Sequence, residues 1–423
     1  MSPPPIMSSM SPHSPLSQGR EANILEDGND RACRSSKFLV IGHRGFGMNI
    51  LQSSDSRFKL MKENSIPSFM AATRFPVDFV EFDVQVTKDG CPVVFHDCLI
   101  LTEEKGAIVE KRVTELTLEE FLSYGPQADP GKMGKPLFRR TIDGGTFEWK
   151  VESDAPLCTL REAFAKIDHS IGFNIELKFD DLVVYKEEQL AHVLQQILKV
   201  VKENAKDRPI IFSSFIPDAA QLVKKLQSTY SVFFLTNGGS KLYPDVRRNS
   251  LEEAINVCMT GCLHGIVAEV SSILRNPAAV NRIRNSGLSL ITYGQLNNIA
   301  EVVYVQRLLR VEGVIVDLVQ EITEAVYGIV SSSVQEERAV NKHEGPSNTR
   351  LLPTAIEDEG LPSDEQLKQT KSRTTTYSNP KSLASDLRSL VLSKPPLLPP
   401  PIILESSILV VAGVVSGPIR CVD

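Results

Sequence analysis

The pattern of apolar and polar positions predicts alternating strands and helices across the middle of the chain. Most of the short apolar runs are followed by an amphipathic segment of helical period, such as "EEQLAHVLQQILKVVKE" and "PDAAQLVKKLQST". Alternation of this kind predicts a parallel sheet with crossover helices. The nine predicted strands are Phe38–Gly42, Phe79–Val84, Pro92–Phe95, Phe173–Leu177, Ile210–Phe212, Val232–Leu235, Gly265–Val267, Ser289–Thr292 and Gly313–Val316.

One of these nine strands is predicted to belong to a hairpin. Asp89-Gly90 separates Phe79–Val84 from Pro92–Phe95, and this dipeptide is a strong signal for a two-residue hairpin turn. We therefore expect Pro92–Phe95 to fold back antiparallel on the preceding strand. The other eight strands predict an α/β fold, a (β/α)8 TIM barrel. A turn-rich insertion, at about residues 99–156, is expected to pack over the barrel mouth.

The two ends of the chain are expected to be disordered and to flank a barrel domain of residues 37–330. Residues 1–36 are polar and rich in Pro and Ser, and residues 331–423 contain low-complexity stretches such as "TKSRTTTYSNPKS" and "KPPLLPPP". Such segments bury too little apolar surface to fold. Residues 1–20 contain no acidic residue and weakly resemble a plastid transit peptide.

Composition excludes several classes of protein. The net charge of −6 offers no basic face for nucleic acid, and no apolar run approaches the ~20 residues of a membrane-spanning helix. The N-terminus also lacks the apolar core of a secretory signal. Seven scattered cysteines without a Cys-x-x-Cys pair favour a reducing compartment. We expect a cytoplasmic or plastid protein that is not secreted and has no stable membrane insertion.

Charged residues interrupt three of the predicted strands near their carboxyl ends, where TIM barrels build their active sites. The three motifs are "GHRG", "VEFDV" and "FNIELK". A single interruption is commonly a structural charge, but three at the same level of one barrel indicate a site. The residues concerned are His43, Arg44, Glu81, Asp83, Glu176 and Lys178.

The carboxylates among these residues predict a metal site. Glu81, Asp83 and Glu176 supply the oxygen ligands that hard divalent cations such as Mg²⁺ or Ca²⁺ prefer. Without a cation, three converging carboxylates would repel one another. Arg44 and Lys178 add positive charges suited to a phosphate group.

Two histidines complete the predicted chemistry. His43 and His96 can titrate near neutrality and serve as one acid and one base. If Asp89-Gly90 are the two loop residues, His96 lies directly opposite Asp83, whereas an error of one residue would place it on the other face. A metal, two cations and two histidines together predict cleavage of a phosphodiester.

These motifs resemble the glycerophosphodiester phosphodiesterase family in their order and spacing. The similar stretches are "GHRG", "KENSIPSF", "VEFDVQVTKDG", "PVVFHD", "FNIELK" and "VEGVIVD", and "SYGPQ" and "FFLTNGG" resemble its eukaryotic, plant-type members. The resemblance covers roughly residues 38–330. It implies a barrel of the phosphatidylinositol-phospholipase-like phosphodiesterase type.

The resemblance also implies roles for individual residues. His43 and His96 match the catalytic histidines, and the three carboxylates and two cations match the metal ligands and phosphate-binding residues. Glu63 and Asn64 match a Glu-Asn signature that organises the site, with Glu63 supporting the site rather than binding the metal. Where many members carry Trp-Thr-x-Asn, this chain reads "ITYG", so Tyr293 is expected to form the substrate wall.

The implied reaction is hydrolysis of a small-molecule glycerophosphodiester, such as glycerophosphocholine or glycerophosphoethanolamine, to sn-glycerol 3-phosphate and the free alcohol. We expect His43 to act as the base and His96 as the acid. The sequence does not indicate protein partners.

Three alternatives have different consequences. A phospholipase- or lyase-type diesterase would stop at a cyclic phosphate, and a membrane substrate would call for an exposed apolar rim that the sequence does not reveal. A catalytically silent phosphate-binding scaffold would be expected to have lost a histidine or a carboxylate. A metal-dependent amidohydrolase is disfavoured because the first strand ends in His-Arg rather than His-x-His.

Overall fold

The computed structural model describes residues 37–129, 131–141 and 144–328. The two tails expected to be disordered, residues 1–36 and 331–423, lie outside these ranges. The strands are β1 (Leu39–Gly42), β2 (Phe79–Val86), β3 (Pro92–Val94), β4 (Leu99–Glu104), β5 (Ala107–Arg112), β6 (Phe138–Arg140), β7 (Thr146–Glu148), β8 (Cys158–Thr159), β9 (Gly172–Leu177), β10 (Ile210–Ser214), β11 (Ser231–Thr236), β12 (Gly265–Glu269), β13 (Ser289–Tyr293) and β14 (Gly313–Val316).

The α-helices lie mainly between the strands, as the alternating pattern predicts. They are α1 (Ile66–Ala72), α2 (Leu118–Leu122), α3 (Leu160–Lys166), α4 (Glu187–Asn204), α5 (Pro217–Leu226), α6 (Leu251–Gly261), α7 (Val270–Arg275), α8 (Ala278–Asn285) and α9 (Ala300–Leu308). Residues 319–328 are also helical. Short 3₁₀ helices span Ser56–Lys59, Val113–Glu115, Val246–Arg248 and Gln295–Asn298.

Eight parallel strands close into a barrel, which confirms the predicted fold. Their order is β1, β14, β13, β12, β11, β10, β9 and β2, and the pairing of β1 with β2 completes the ring. Val, Ile and Phe dominate these strands, as expected for buried parallel strands. Residues on alternate faces have different surroundings. Phe82 and Val84 belong to the large core in which strand residues pack with helix residues. Ile41, Val267 and Ile315 belong to a second apolar cluster, whose buried members all come from the barrel strands.

The predicted hairpin is present, but its predicted register is wrong by one residue. Strand β3 pairs antiparallel with β2, and the loop consists of Lys88-Asp89-Gly90, which Thr87 N closes by donating to Cys91 O at 3.0 Å. Gly90 occupies the third loop position with a φ of +83°, as three-residue hairpin loops commonly require. As a result Phe95 N, not a group of His96, donates to Asp83 O at 3.0 Å.

The insertion contains more regular structure than its turn-rich sequence predicts. Strands β5, β4, β6 and β7 form an antiparallel sheet in that order. A small core that includes Ile100, Phe121 and Trp149 fills the insertion and also contacts Phe95 of the hairpin. Leu99, Leu101 and Arg112 from this sheet line the cavity at the barrel mouth, as the predicted position over the mouth requires.

Candidate active site

A cavity of about 800 Å³ lies at the carboxyl ends of the barrel strands. Most of the residues predicted to form a site line it, although they come from distant parts of the chain. The lining includes His43, Arg44, Glu81, His96, Glu176, Lys178 and Tyr293. Asp83, Glu63 and Asn64 are buried close by and act on the cavity through the contacts described below.

The three predicted carboxylates converge. Strand β2 pairs in register with β9, so that Asp83 lies opposite Glu176, and Glu81 lies two residues before Asp83 on the same face. One carboxylate oxygen from each of the three residues lies within 4.8 Å of the others. All three side chains are buried. Parallel pairing of two short motifs therefore creates the cluster.

The electrostatics of this cluster fit a divalent cation. Burial, reinforced by the charge of Asp83, raises the pKa of Glu81 to about 8, and burial also raises the pKa of Glu176. Asp83 Oδ1 is buried and accepts no hydrogen bond from any residue that the structure describes. Lys178 Nζ lies 2.8 Å from Glu176 Oε1 and 3.4 Å from Asp83 Oδ1, which offsets part of the negative charge. A bound cation would relieve the repulsion among these carboxylates and would contact the buried Asp83 oxygen that accepts no hydrogen bond from the described residues.

Asp83 is held in place by two further residues, which contact its other carboxylate oxygen. Asn64 Nδ2 donates to Asp83 Oδ2 at 2.8 Å, and Arg44 Nε lies 3.6 Å from the same oxygen. Burial would raise the pKa of Asp83, but the charges of His96, Lys178 and Arg44 hold it below its usual range. Asp83 is therefore the carboxylate of the cluster that stays ionised most readily.

Arg44 contacts both the carboxylate cluster and its support. Its backbone N donates to Glu81 Oε2 at 2.9 Å, and its Nη1 donates to Glu63 Oε1 at 2.7 Å. Arg44 has a φ of +50°, an uncommon conformation for a residue with a side chain. Glu63 is buried beside Arg44 and lies outside the carboxylate cluster, so its contacts are those of a supporting residue.

His43 forms a pair with a carboxylate at the opposite end of the barrel sequence. His43 Nδ1 lies 2.7 Å from Asp317 Oδ1, and its Nε2 lies 3.9 Å from Glu81 Oε2. Burial lowers the pKa of His43, but the charge and hydrogen bond of Asp317 outweigh this effect and raise it overall. Met48 N and Asn298 Nδ2 also donate to Asp317, at 3.0 and 2.9 Å.

His96 forms a second pair of the same kind. Its Nδ1 lies 2.7 Å from Asp97 Oδ1. Although the hairpin register differs from the predicted one, His96 still lines the cavity, because β3 ends at Val94 and the chain bends at His96. Burial lowers the pKa of His96 to about 4, and the nearby charges of Arg44 and Lys178 act in the same direction.

Tyr293 lies at the end of β13 and forms part of the cavity wall. Its hydroxyl donates to Asn237 Oδ1 at 2.5 Å, and its ring packs edge-on against Phe215 with 6.1 Å between the centroids. These contacts fix the ring on the side of the cavity formed by β10, β11 and β13.

Sequence reasoning missed three residues that contact the predicted ones: Asp317, Asp97 and Arg139. Asp317 directly follows β14, so its position at the carboxyl end of a barrel strand is a signal that could have identified it. Asp97 directly follows His96 in the sequence, but only the structure shows that its carboxylate contacts the His96 ring. Arg139 gives no signal because it lies in the insertion, and only the fold shows that its guanidinium contacts Asp97 and Glu63.

Two loops at the cavity mouth expose apolar side chains that the pattern along the chain does not reveal. Leu182, Val184 and Leu242 are 87%, 96% and 77% exposed. Lys241 Nζ lies 3.7 Å from Asp181 Oδ2, so the two loops are in contact beside the cavity.

Among the described residues, no helix combines the length and the apolar character needed to cross a membrane.

Comparison with known proteins decides the family. The sequence model of the glycerophosphoryl diester phosphodiesterase family matches residues 43–321, which include both His–Asp pairs and the carboxylate cluster. The chain belongs to the glycerophosphoryl diester phosphodiesterase family. The family resemblance seen in the motifs is thereby confirmed.

Relatives within the phosphodiesterase family match most of the chain. Glycerophosphodiester phosphodiesterase GDPD3 of Arabidopsis thaliana is 59% identical over 306 residues, which are 72% of this chain and 82% of that protein. Glycerophosphodiester phosphodiesterase GDPD1, chloroplastic, of the same plant is 60% identical over 71% of this chain and 83% of its own length. These relatives confirm the plant-type assignment.

A solved structure from Silicibacter pomeroyi, provisionally assigned to the glycerophosphoryl diester phosphodiesterases, shares the fold of this family member. It covers 69% of this chain and 94% of its own, with a TM-score of 0.51 and 20% sequence identity. At this identity the similarity shows the fold alone.

Proposed function

We propose that the chain hydrolyses glycerophosphodiesters to sn-glycerol 3-phosphate and the free alcohol. The observation that carries this proposal is that three converging buried carboxylates and two His–Asp pairs meet at one cavity at the barrel mouth. Water adds across the bond between phosphorus and the alcohol oxygen, so that phosphorus gains a hydroxyl and the alcohol gains a proton. The substrate is proposed to be a small glycerophosphodiester such as glycerophosphocholine or glycerophosphoethanolamine, and the names of the relatives support the class of substrate without naming the head group.

Glu81, Asp83 and Glu176 are proposed to hold the divalent cation, Mg²⁺ or Ca²⁺. Their donors are all carboxylate oxygens, which suit these hard cations better than softer transition metals. When bound, the cation supplies Lewis-acid polarisation and neutralises negative charge that develops in the transition state. The side chains of the chain itself perform the remaining steps.

Arg44 and Lys178 are proposed to bind the phosphate. Both side chains line the cavity, and Lys178 is 12% exposed toward it. Glu63 and Asn64 position the groups around this phosphate site, since Glu63 accepts from Arg44 and Asn64 donates to Asp83. Two fixed cations beside the developing negative charge would stabilise the transition state more than the ground state.

The two histidines are proposed to transfer the protons. We assign the donor role to His43, because Asp317 raises its pKa and favours the protonated ring. We assign the acceptor role to His96, whose lowered pKa, about 4, favours the neutral ring. This order is the reverse of the one expected from the sequence. In each pair the carboxylate accepts from Nδ1, which leaves Nε2 for the reaction.

Tyr293 is proposed to contact the substrate from the cavity wall. Its hydroxyl is engaged by Asn237, so the ring face or edge, rather than the hydroxyl, is the available surface.

For the cellular location we propose the cytoplasm or the plastid, and the relative named as chloroplastic supports the plastid.

The test is ³¹P NMR of glycerophosphocholine incubated with the purified chain and Mg²⁺ or Ca²⁺. The proposal expects the signal of sn-glycerol 3-phosphate to appear as the diester signal disappears. Accumulation of a cyclic phosphate would instead support the lyase-type alternative. Absence of any product from glycerophosphocholine, glycerophosphoethanolamine and glycerophosphoglycerol would support the phosphate-binding scaffold and overturn the proposal.

A further inference from the structure

We infer that Arg139, a residue of the insertion, is a positioning residue that orients His96 through Asp97. The inference rests on the proposed function, because it concerns a group of the same reaction. It also gives the insertion a role beyond covering the barrel mouth.

The guanidinium of Arg139 makes several directed contacts. Nε donates to Asp97 Oδ2 at 2.9 Å, and Nη2 donates to Asp97 Oδ1 at 3.3 Å. Nη2 also donates to Glu63 Oε1 at 2.7 Å, and Nη1 donates to the backbone O of Asn49 at 3.3 Å. The planar fork therefore fixes both oxygens of Asp97 and their plane.

Asp97 transmits this orientation to His96. Its Oδ1 lies 2.7 Å from His96 Nδ1. Burial would raise the pKa of Asp97, but Arg139 and His96 hold it well below its usual range. The carboxylate is therefore ionised and accepts a hydrogen bond from the protonated Nδ1 of His96. This contact selects the ring tautomer and directs Nε2 away from Asp97.

The position of Arg139 itself is fixed by the insertion. Its side chain is 11% exposed, and its guanidinium carbon lies 3.8 Å from the centre of the Trp149 ring. Trp149 Nε1 donates to Asn49 Oδ1 at 3.0 Å, and the ammonium of Lys62 also lies 3.8 Å from the ring centre. Trp149 and Arg139 therefore pack against each other and both donate a hydrogen bond to Asn49, which fixes the position of the guanidinium.

Glu63 connects the same guanidinium to the phosphate side of the site. Glu63 Oε1 accepts from Arg139 Nη2 and from Arg44 Nη1, both at 2.7 Å. Both arginines therefore depend on one buried carboxylate oxygen. A lysine at position 139 could satisfy one of these acceptors but not the two oxygens of Asp97 together.

The first test compares the kinetics of Arg139→Met, Arg139→Lys and Asp97→Asn on glycerophosphocholine. We expect Arg139→Met to lower kcat by about 10- to 100-fold with a smaller change in KM, and Arg139→Lys to recover only part of the loss. The variant that combines Arg139→Met with Asp97→Asn completes the comparison. Because Arg139 acts through Asp97, the kcat of this double variant should be no lower than that of the slower single variant. Lys111→Met, which breaks an exposed ion pair with Glu104 in the same insertion, is the control for folding and should keep kcat.

A kcat of Arg139→Met within about twofold of the parent, or losses that multiply in the double variant, would overturn the inference. Far-UV circular dichroism and thermal unfolding of each variant separate loss of fold from loss of orientation.

The second test does not depend on activity. In protein labelled with ¹⁵N-histidine, the Nδ1 proton of His96 is identified as the low-field signal that disappears in His96→Gln. We expect this signal to move upfield or vanish in Arg139→Met and to stay in Lys111→Met. An unchanged signal in Arg139→Met overturns the inference even if the parent has no activity. Failure of the proposed function would instead appear as an inactive parent with a normal His96 signal.

Discussion

His43 Nδ1 lies 2.7 Å from Asp317 Oδ1, so one contact joins the residues that follow the first and the last strand of the barrel. The contact raises the pKa of His43 against the opposing effect of burial. The two residues are 274 positions apart in the chain, and closure of the barrel between β1 and β14 brings them together.

Asp317→Asn is expected to lower kcat by about 10- to 100-fold and to change its pH dependence. Asp317 raises the pKa of His43, so its removal lowers that pKa. A proton donor loses activity as pH rises through its pKa, and the alkaline limb of the kcat profile should therefore move to lower pH. The measurement is kcat between about pH 5 and 10. A limb that stays in place, or moves to higher pH, would contradict the donor role of His43.

His96→Ala is expected to remove most of the turnover while leaving the fold intact. Loss of one positioned acid or base group commonly costs about 10²- to 10⁴-fold in rate. His192, which is exposed on α4, supplies the matched control, and His192→Ala should keep the parental kcat. Steady-state assays and circular dichroism on both variants make the comparison. A His96→Ala protein with parental activity would rule out the proposed role.

The carboxylate cluster predicts a pH-dependent stability in the cation-free protein. The pKa of Glu81 is raised from its usual 4.5 to about 8, so the folded chain binds more protons than the unfolded chain between these values. Stability from this group is complete below pH 4.5 and is lost as pH rises toward 8. Thermal unfolding in EDTA should show this decline in the parent and a smaller one in Glu81→Gln.

The proton that Glu81 binds below about pH 8 should also compete with the proposed divalent cation. Mg²⁺ or Ca²⁺ should therefore raise the melting temperature of the parent more at about pH 8.5 than at about pH 5.5. Equal shifts at both pH values, or equal shifts in the parent and Glu81→Gln, would contradict a cation site at Glu81.

Gly47 places the backbone close to the His43–Asp317 pair. Its φ is +117°, and an added Cβ would lie 2.4 Å from the carbonyl oxygen of Asp317. We expect Gly47→Ala to lower the free energy of unfolding by about 3 kcal/mol or more and to reduce kcat. Gly287 has a φ of +73°, and no atom of the described residues lies within 4 Å of its added Cβ, so Gly287→Ala should cost only about 1–2 kcal/mol and keep kcat. Denaturant unfolding of both variants tests this difference, and equal costs would refute it.

The barrel and the carboxylate cluster could be predicted because both follow from short, local patterns. Apolar runs marked all eight barrel strands, and carboxylates two residues apart in β2 had to share a face. Their meeting with Glu176 then followed from the rule that parallel barrels place their sites at the carboxyl ends of strands.

The hairpin register could not be predicted from the dipeptide alone. Asp89-Gly90 is compatible with a two-residue or a three-residue loop, and the structure contains the three-residue loop that starts at Lys88. His96 nevertheless reaches the cavity, because the chain leaves the strand after Val94.

The role of Arg139 could not be predicted from the sequence for a different reason. Its partners lie 42 and 76 positions away, and they meet only when the insertion packs on the barrel.

The most direct measurement of the central claim is turnover of glycerophosphocholine by EDTA-treated protein, detected through coupled assay of sn-glycerol 3-phosphate, before and after addition of Mg²⁺ or Ca²⁺. The parent should be inactive in EDTA and should recover when one of the cations is added. Glu81→Gln should need a higher cation concentration for the same rate, because one of the three proposed carboxylate ligands loses its charge. Undiminished turnover in EDTA, or the same cation requirement in parent and variant, would contradict the account.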